Sequence, residues 1–253
     1  MYAEERQQAI AERAGIHGRV DVADLARDLG VTPETIRRDL TQLERAGVLR
    51  RVHGGAIPVD RLTFERNLPA REISMTSEKE RIAKAAYAEL PEQGTVLLDA
   101  GTTTAALAEL FPADAQLTVV TNSLPIASRL ATHRGITTLL LGGRVRGTTL
   151  SAVDAWALRV LDEIHVDVSF MATNGFSVEL GCTTPDIGEA AVKRAMVAAA
   201  ERVVLLADSS KYGSSWFARF ADLDDVEIIV TDTGLDERQV PSIEAAGPRV
   251  VRA

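Results

Sequence analysis

An apolar run, Val96-Leu97-Leu98, leads into Asp99-Ala100-Gly101, then into Thr102, Thr103 and Thr104, and then into alanines that favour a helix. A strand, a glycine turn with hydroxyls and a helix start gather backbone N–H groups where the helix dipole favours an anion. That is the chemistry of holding a phosphate. The loop is no P-loop, because no G-x-x-x-x-G-K-[ST] occurs, and no G-x-G-x-x-G marks a dinucleotide site. Polar residues close other apolar runs in the same way: Thr121-Asn122-Ser123, Gly142-Gly143-Arg144, Thr173-Asn174-Gly175 and Asp208-Ser209-Ser210-Lys211. Each has a structural use at a turn or helix start, and Lys211 suits a solvated surface lysine as well as a cation on a phosphate. Asp99, Asp186 and Glu189 are carboxylates of the kind a sugar isomerase needs as general base, but no acid–base set accompanies them. Glu189 also falls in a first helical turn, where acids are favoured for structural reasons. No cofactor and no metal are expected. Cys182 is the sole cysteine, and His53 has no Cys or His at ligand spacing.

The elements that position these residues follow from periodicity. Continuous apolar runs at 95–100, 117–121, 137–141, 166–172, 203–207 and 226–231 predict buried strands. Helical stretches near 103–111, 123–132, 151–163 and 186–201 alternate with them. Strands alternating with helices predict a mostly parallel, doubly wound α/β sheet. Such sheets bind ligands at the carboxyl ends of their strands, so the five polar ends predict one shared cleft. Ahead of the sheet, Ser77-Glu78-Lys79-Glu80 has the form of a capping box opening a helix. Residues 58–76, with two prolines and no clear period, read as an ordered linker in which Phe64 and Leu68 pack.

The chain is long enough, at 253 residues and 46% hydrophobic, for one large domain plus a small one. One cysteine excludes an intrachain disulfide and suits a reducing compartment. No stretch approaches a membrane span, and the charged N-terminus lacks the apolar core of a signal peptide, so the reading is a soluble cytoplasmic protein. The formal net charge of −8 lies wholly in residues 62–253, because ten arginines balance ten acids in residues 1–61.

Within that neutral head, residues 3–14 read as a short helix ending near Gly15, and Val22, Leu25, Ala26 and Leu29 form one stripe of a second. Thr32 caps a third, with Pro33 at its first position. Ile36, Leu40 and Leu43 form its buried stripe. Arg38, Thr41, Gln42 and Arg45 lie opposite, with Thr35 and Arg37 on the flanks. Residues 48–57 then read as two short strands around Gly54-Gly55, carrying Arg50, Arg51 and His53. This suits a winged helix-turn-helix on DNA. It also suits a small helical cap with solvated arginines, and periodicity does not separate the two.

The stretch TPETIRRDLTQLERAGVLRRVHGGA resembles the N-terminal signature of the DeoR family of bacterial transcriptional regulators. The matches are Thr35, Ile36, Arg37, Arg38, Asp39, Leu40, Leu43, Gly47, Arg51, His53, Gly54, Gly55 and Ala56. Residues 77–232 resemble that family's sensor domain through DAGTTT, VVTNS, LLLGG, TNG, GCTTPD, EAAVKRAM and LADSSKYG. The resemblance implies a winged helix-turn-helix over residues 1–57, a linker over 58–76 and a phosphosugar-sensing domain over 77–253. The sensor fold is implied to be similar to ribose-5-phosphate isomerase and glucosamine-6-phosphate deaminase. The implied DNA contacts are Thr35, Arg37, Arg38, Thr41, Gln42, Arg45, Arg50, Arg51 and His53. The implied effector contacts are Asp99, Gly101 to Thr104, Thr121, Asn122, Gly142 to Arg144, Asp154, Asn174, Gly175, Glu189 and Lys211. Family members usually carry glycine where this chain has Asp154, so an acid there contacts the sugar or rejects a second phosphate. The expected partners are operator DNA, a phosphorylated sugar and further copies of the chain, in a dimer or tetramer. The motifs SAVDAWAL and ATNGFSVELGCTTPD are similar to those of fructose-operon regulators, which favours fructose 1-phosphate, then fructose 6-phosphate. The competing reading is a phosphosugar isomerase or deaminase with an appended nucleic-acid module.

Overall fold

The computed structural model describes residues 3–17, 20–45, 48–52, 54–58, 65, 67–112 and 114–253. They divide into two compact units, Met1–Phe64 and Glu65–Ala253. No helix among the described residues is long and apolar enough to cross a membrane.

The first unit runs α1 (Ala3–His17), β1 (Val20–Asp21), α2 (Val22–Asp28), α3 (Pro33–Arg45), β2 (Leu49–Val52) and β3 (Gly55–Pro58). Its core joins Ile10 of α1, Leu25 of α2, Ile36, Leu40 and Leu43 of α3, and Leu49 and Ala56 of the sheet. Asp21 caps α2 by accepting from Ala23 N at 2.8 Å, and Thr32 caps α3 by accepting from Thr35 N at 3.2 Å. The wing is a β2–β3 hairpin in which Arg51 faces Ala56 and Val52 faces Gly55. It differs from expectation in carrying a third strand, with β1 pairing to β3. Gly55 permits this, because a Cβ there would stand 1.9 Å from the Val20 carbonyl oxygen. Helix α1 also continues past Gly15 to His17.

The second unit opens with α4 (Leu68–Glu72) and α5 (Thr76–Ala86). Met75, not Ser77, stands at the N-cap of α5, at φ 55°, and no side chain caps the helix. The expected capping box is therefore absent, because Ser77 already lies inside the first turn. The buried Lys79 Nζ donates to the Arg71 and Ser74 carbonyls instead.

The elements β4 (Gln93–Leu98), α6 (Thr102–Ala108), β5 (Gln116–Thr121), α7 (Leu124–Leu130) and β6 (Ile136–Leu140) follow. Next come the hairpin β7 (Arg144–Arg146) and β8 (Ser151–Val153), then α8 (Ala155–Asp162), β9 (Val166–Ala172), β10 (Gly175–Ser177), β11 (Gly181–Thr184) and α9 (Ile187–Ala198). The chain ends with β12 (Ala200–Leu206), β13 (Ala218–Ala221), β14 (Ile228–Thr231), α10 (Val240–Glu244) and β15 (Arg249–Arg252). The helix expected over 151–163 thus gives its first three residues to β8, and the last strand was not foreseen.

Seven strands form one parallel sheet in the order β15-β14-β12-β9-β4-β5-β6. Alternate residues feed two cores. Leu97, Met171 and Leu205 pack on one face with α8 and α9; Val96, Leu98, Phe170 and Val204 pack on the other with α5, α6 and α7. The chain leaves β4 toward β5 and leaves β9 in the opposite direction toward β12. The order therefore reverses between adjacent strands β4 and β9, where doubly wound sheets open a crevice at their carboxyl ends.

Candidate functional site

On the first unit, α3 turns Ile36, Leu40 and Leu43 inward, leaving Arg37, Arg38, Gln42 and Arg45 exposed and Thr41 half-buried. Arg37 pairs with Glu34 at 3.0 Å, one turn back. Thr41 donates to the Arg37 carbonyl at 2.8 Å and accepts from Arg51 Nη1 at 3.2 Å, joining the helix to the wing. Glu44 accepts from the Arg51 backbone N–H at 3.0 Å. Thr35 shares a hydroxyl contact of 2.9 Å with Thr32, and Gln42 accepts from Gln7. Arg50 lies on β2, and His53 lies outside the described residues. Beneath this face, Arg6 and Asp39 form a buried two-pronged pair, Nε to Oδ2 at 2.6 Å and Nη2 to Oδ1 at 3.2 Å, that ties α1 to α3. Asp39 is held by packing, so its place in the signature is structural.

On the second unit, the switch point between β4 and β9 gathers most of the expected residues. Asp99 follows β4 and is fully buried. Its Oδ2 accepts from Lys193 Nζ and, at 3.0 Å, from Ala172 N, while Oδ1 is buried with no hydrogen-bond partner among the described residues. Lys193 also donates to the Ala172 carbonyl at 2.9 Å and stands 3.9 Å from Glu189, so it bridges the ends of both strands. Gly101 brings the loop close to β9, where a Cβ would stand 2.7 Å from that of Ala172. Thr102 is half-buried and Thr103 buried at the start of α6. The Thr104 hydroxyl points back to the Asp99 and Gly101 carbonyls, at 2.7 and 3.0 Å, and so shapes the loop. Asn122 accepts from Ala100 N at 2.9 Å, and Thr121 donates to the Leu98 carbonyl at 2.6 Å. These two buried side chains fix the spacing of β4 and β5.

Beyond Lys193 the network continues through residues that periodicity did not single out. Arg146, at the end of β7, donates to Glu189 and, at 2.8 Å, to Glu65, and lies 3.4 Å from Asp186. Glu65 in turn accepts from Asn174 at 3.2 Å. Asp186 caps α9 by accepting from Glu189 N at 2.8 Å. Burial works against the Arg146 charge, yet Glu189, Glu65 and Asp186 together hold its pKa above the ordinary arginine value. Burial pushes Glu189 up to about 7; Glu65 and Asp99 add to the rise, while Lys193 and Arg146 oppose it. Burial also pushes the Cys182 thiol up to about 12, which keeps it protonated. Lys193 had a visible signal: it follows Glu189 by four positions, on the buried face of α9 with Met196. Gly175 sits at the start of β10, packed under Ser214.

Of the remaining expected residues, Asp154 and Arg144 border the start of α9, where a Cβ at Gly188 would stand 3.1 Å from Asp154 Oδ1, 3.2 Å from Asp186 Oδ1 and 4.0 Å from Arg144 Nη2. Gly142 is exposed, and Gly143, at φ 136°, allows the Val153 carbonyl to pass where a Cβ would be. Arg144 pairs with Asp154 at 2.8 Å on an exposed rim. Asp154 is the N-cap residue of α8 but caps nothing with its side chain, and it holds φ 79°, ψ −168°. Lys211 lies past the end of β12, 4.0 Å from Asp208.

Residues 74–233 match the DeoR C-terminal sensor domain, and residues 6–61 match the DeoR-like helix-turn-helix domain. The chain belongs to the DeoR family. Among DeoR-family relatives, the helix-turn-helix transcriptional regulator GlpR of Haloferax volcanii is 38% identical, covering 99% of this chain and 98% of that one. The regulator FruR of Bacillus subtilis is 35% identical, covering 92% of each. Among solved structures, ribose 5 phosphate isomerase A from Neisseria gonorrhoeae aligns over 54% of this chain and 53% of its own, at 20% identity and a TM-score of 0.39. As a DeoR-family member the chain is a DNA-binding transcriptional regulator with a sensor domain. It is not an enzyme.

Proposed function

We propose that the protein is a repressor of a sugar-utilisation operon, acting as a homo-oligomer and released from its operator by a phosphorylated sugar. The observation that carries this reading is the meeting of Asp99, the Gly101–Thr103 loop and Asn174 at the single point where the strand order reverses. The effector's phosphate lies on the backbone N–H groups and hydroxyls of Thr102 and Thr103, with Lys211 as a second contact. Its hydroxyls meet Asp99 and Asn174. Arg38, Gln42 and Arg45 on the outer face of α3 enter the major groove, and Arg50 and Arg51 reach phosphates from the wing. One such module buries too little surface for specific affinity, so two or more heads act together on repeated half-sites. Fructose 1-phosphate is the favoured effector and fructose 6-phosphate the next, on the likeness of the SAVDAWAL and ATNGFSVELGCTTPD motifs to fructose-operon regulators. The test is operator binding by fluorescence anisotropy at fixed salt against a panel of sugar phosphates. Release by a fructose phosphate at micromolar concentration is expected. Release by none of the panel overturns the reading.

A further inference from the structure

Glu65 is the residue at which the chain enters the second unit, and its carboxylate is 7% exposed. One oxygen accepts from Arg146 Nη2 at 2.8 Å. The other accepts from Asn174 Nδ2 at 3.2 Å and lies 3.8 Å from Arg71. Asn174 follows β9, and Arg146 also holds Glu189, which neighbours Lys193 and through it Asp99. The Glu65 carboxylate therefore sits on two donors that border the switch point, at one end of a relay through Arg146, Glu189 and Lys193 whose other end is Asp99, with an Oδ1 that has no partner among the described residues. Two fixed N–H donors and one open carboxylate oxygen form a set that neighbouring sugar hydroxyls satisfy, each accepting from a donor or giving its proton to the carboxylate.

Arg146 does not depend on Glu65 alone for its charge partner. Arg71, Arg146 and Lys193 face four carboxylates, Glu65, Asp99, Asp186 and Glu189. Without Glu65, Arg146 keeps Asp186 and Glu189 as partners. The crowding is visible at Glu189, whose rise above the carboxylate range owes most to burial and part to Glu65. Glu65 belongs to no helix or strand. The nearby chain is tied independently by Leu68 N, which donates to the Thr148 carbonyl at 2.9 Å.

We propose that Glu65 is an internal competitor for the effector: its carboxylate occupies the Arg146 and Asn174 donors that receive the hydroxyls of a phosphorylated sugar, and the sugar binds by taking its place. The proposal rests on the sugar-phosphate reading above. The exchange reports an occupied cleft to residue 65, from which the chain runs back to the DNA-binding unit.

The experiment is isothermal titration of the full chain with fructose 1-phosphate, fructose 6-phosphate and inorganic phosphate, for wild type, Glu65→Gln and Glu65→Ala. If Glu65 holds its donors about nine-tenths of the time, the variants bind the fructose phosphate about tenfold tighter, because apparent affinity scales with the competent fraction. Inorganic phosphate has no polyol chain to place and binds all three proteins alike. Equal or weaker fructose phosphate binding in both variants overturns the proposal. Tighter inorganic phosphate binding in the variants overturns the hydroxyl assignment, because the Arg146 seat then takes the phosphate itself. The wild type supplies a reading that needs no variant: the fructose phosphate shifts the Asn174 side-chain amide resonances, and an unmoved pair overturns the proposal. If no sugar phosphate binds the wild type or releases its operator, the sugar-phosphate reading fails, and this one with it.

Discussion

Asp154 holds φ 79° and ψ −168°, a region that is essentially open to glycine alone. Its Cβ stores strain of about 1 to 3 kcal/mol there. Against this stands the ion pair with Arg144, whose partners are 62% and 44% exposed. Such a pair contributes about 0.2 to 1 kcal/mol. Glycine also adds about 0.5 to 1 kcal/mol of chain freedom to the unfolded state. Asp154→Gly relieves the strain and forfeits the other two, and near the upper end of the strain range it gains about 1 kcal/mol. For a unit of this size that raises Tm by about 2 to 4 °C. Asp154→Ala separates the contributions, since it keeps the Cβ and loses only the pair, and it melts at or slightly below wild type. The assay is differential scanning calorimetry of wild type, Asp154→Gly and Asp154→Ala at one concentration without ligand. A glycine variant that melts no higher than the alanine variant refutes the strain argument, because the two differ only in the Cβ and in chain entropy.

Arg38→Ala weakens operator binding by about 1 to 3 kcal/mol with no change in melting, because Arg38 is exposed on the outer face of α3; anisotropy at fixed salt showing unchanged affinity removes α3 from the groove. Thr103→Glu places a carboxylate in the anion seat and raises the fructose phosphate concentration needed for operator release by more than about tenfold relative to Thr103→Ala, while both keep operator affinity. Release of the Glu variant at the wild-type concentration means those threonines shape the loop rather than hold the phosphate. Glu189 titrates near 7 in the folded chain against an ordinary 4.5. The folded state therefore binds the extra proton between those values. The resulting stability is complete below about pH 4.5 and is lost as pH rises through about 7, by up to about 3 kcal/mol. Urea denaturation at pH 5 and pH 8 measures this slope, and Glu189→Gln abolishes it; an equal slope in the variant shows that another group is responsible.

The parallel sheet was legible because most of its central strand residues are buried. Six of its strands read as mainly apolar runs, and β9 occupies the predicted 166–172 residue for residue. The last strand, Arg249-Val250-Val251-Arg252, lies at the sheet edge with arginines at both ends and has no such run. Strand β8 is only three residues long and abuts α8 through Asp154, so its apolar residues blended into the helix pattern. The loops at the strand ends were legible as places where an anion fits. The charged residues that connect them were not. Arg146 meets Glu65 across 81 residues of sequence, and Asn174 meets it across 109. A charge in an amphipathic or turn segment reads as solvated until its distant partner is known. Arg6 and Asp39 teach the same lesson in the first unit, where only packing reveals that two ordinary surface residue types are buried together.

The crevice between β4 and β9 has walls from distant parts of the chain: Asp99 and Ala172 are 73 residues apart, and Asp99 and Lys193 are 94 apart. No single hairpin or helix pair can assemble it, so it exists only once both halves of the sheet have docked. A sugar phosphate bound there therefore lends its free energy to the opening of the whole unit rather than to one loop. At 100 times its Kd that is about 2.7 kcal/mol. Amides of β5 and β12, which flank the crevice, slow together in hydrogen exchange on binding.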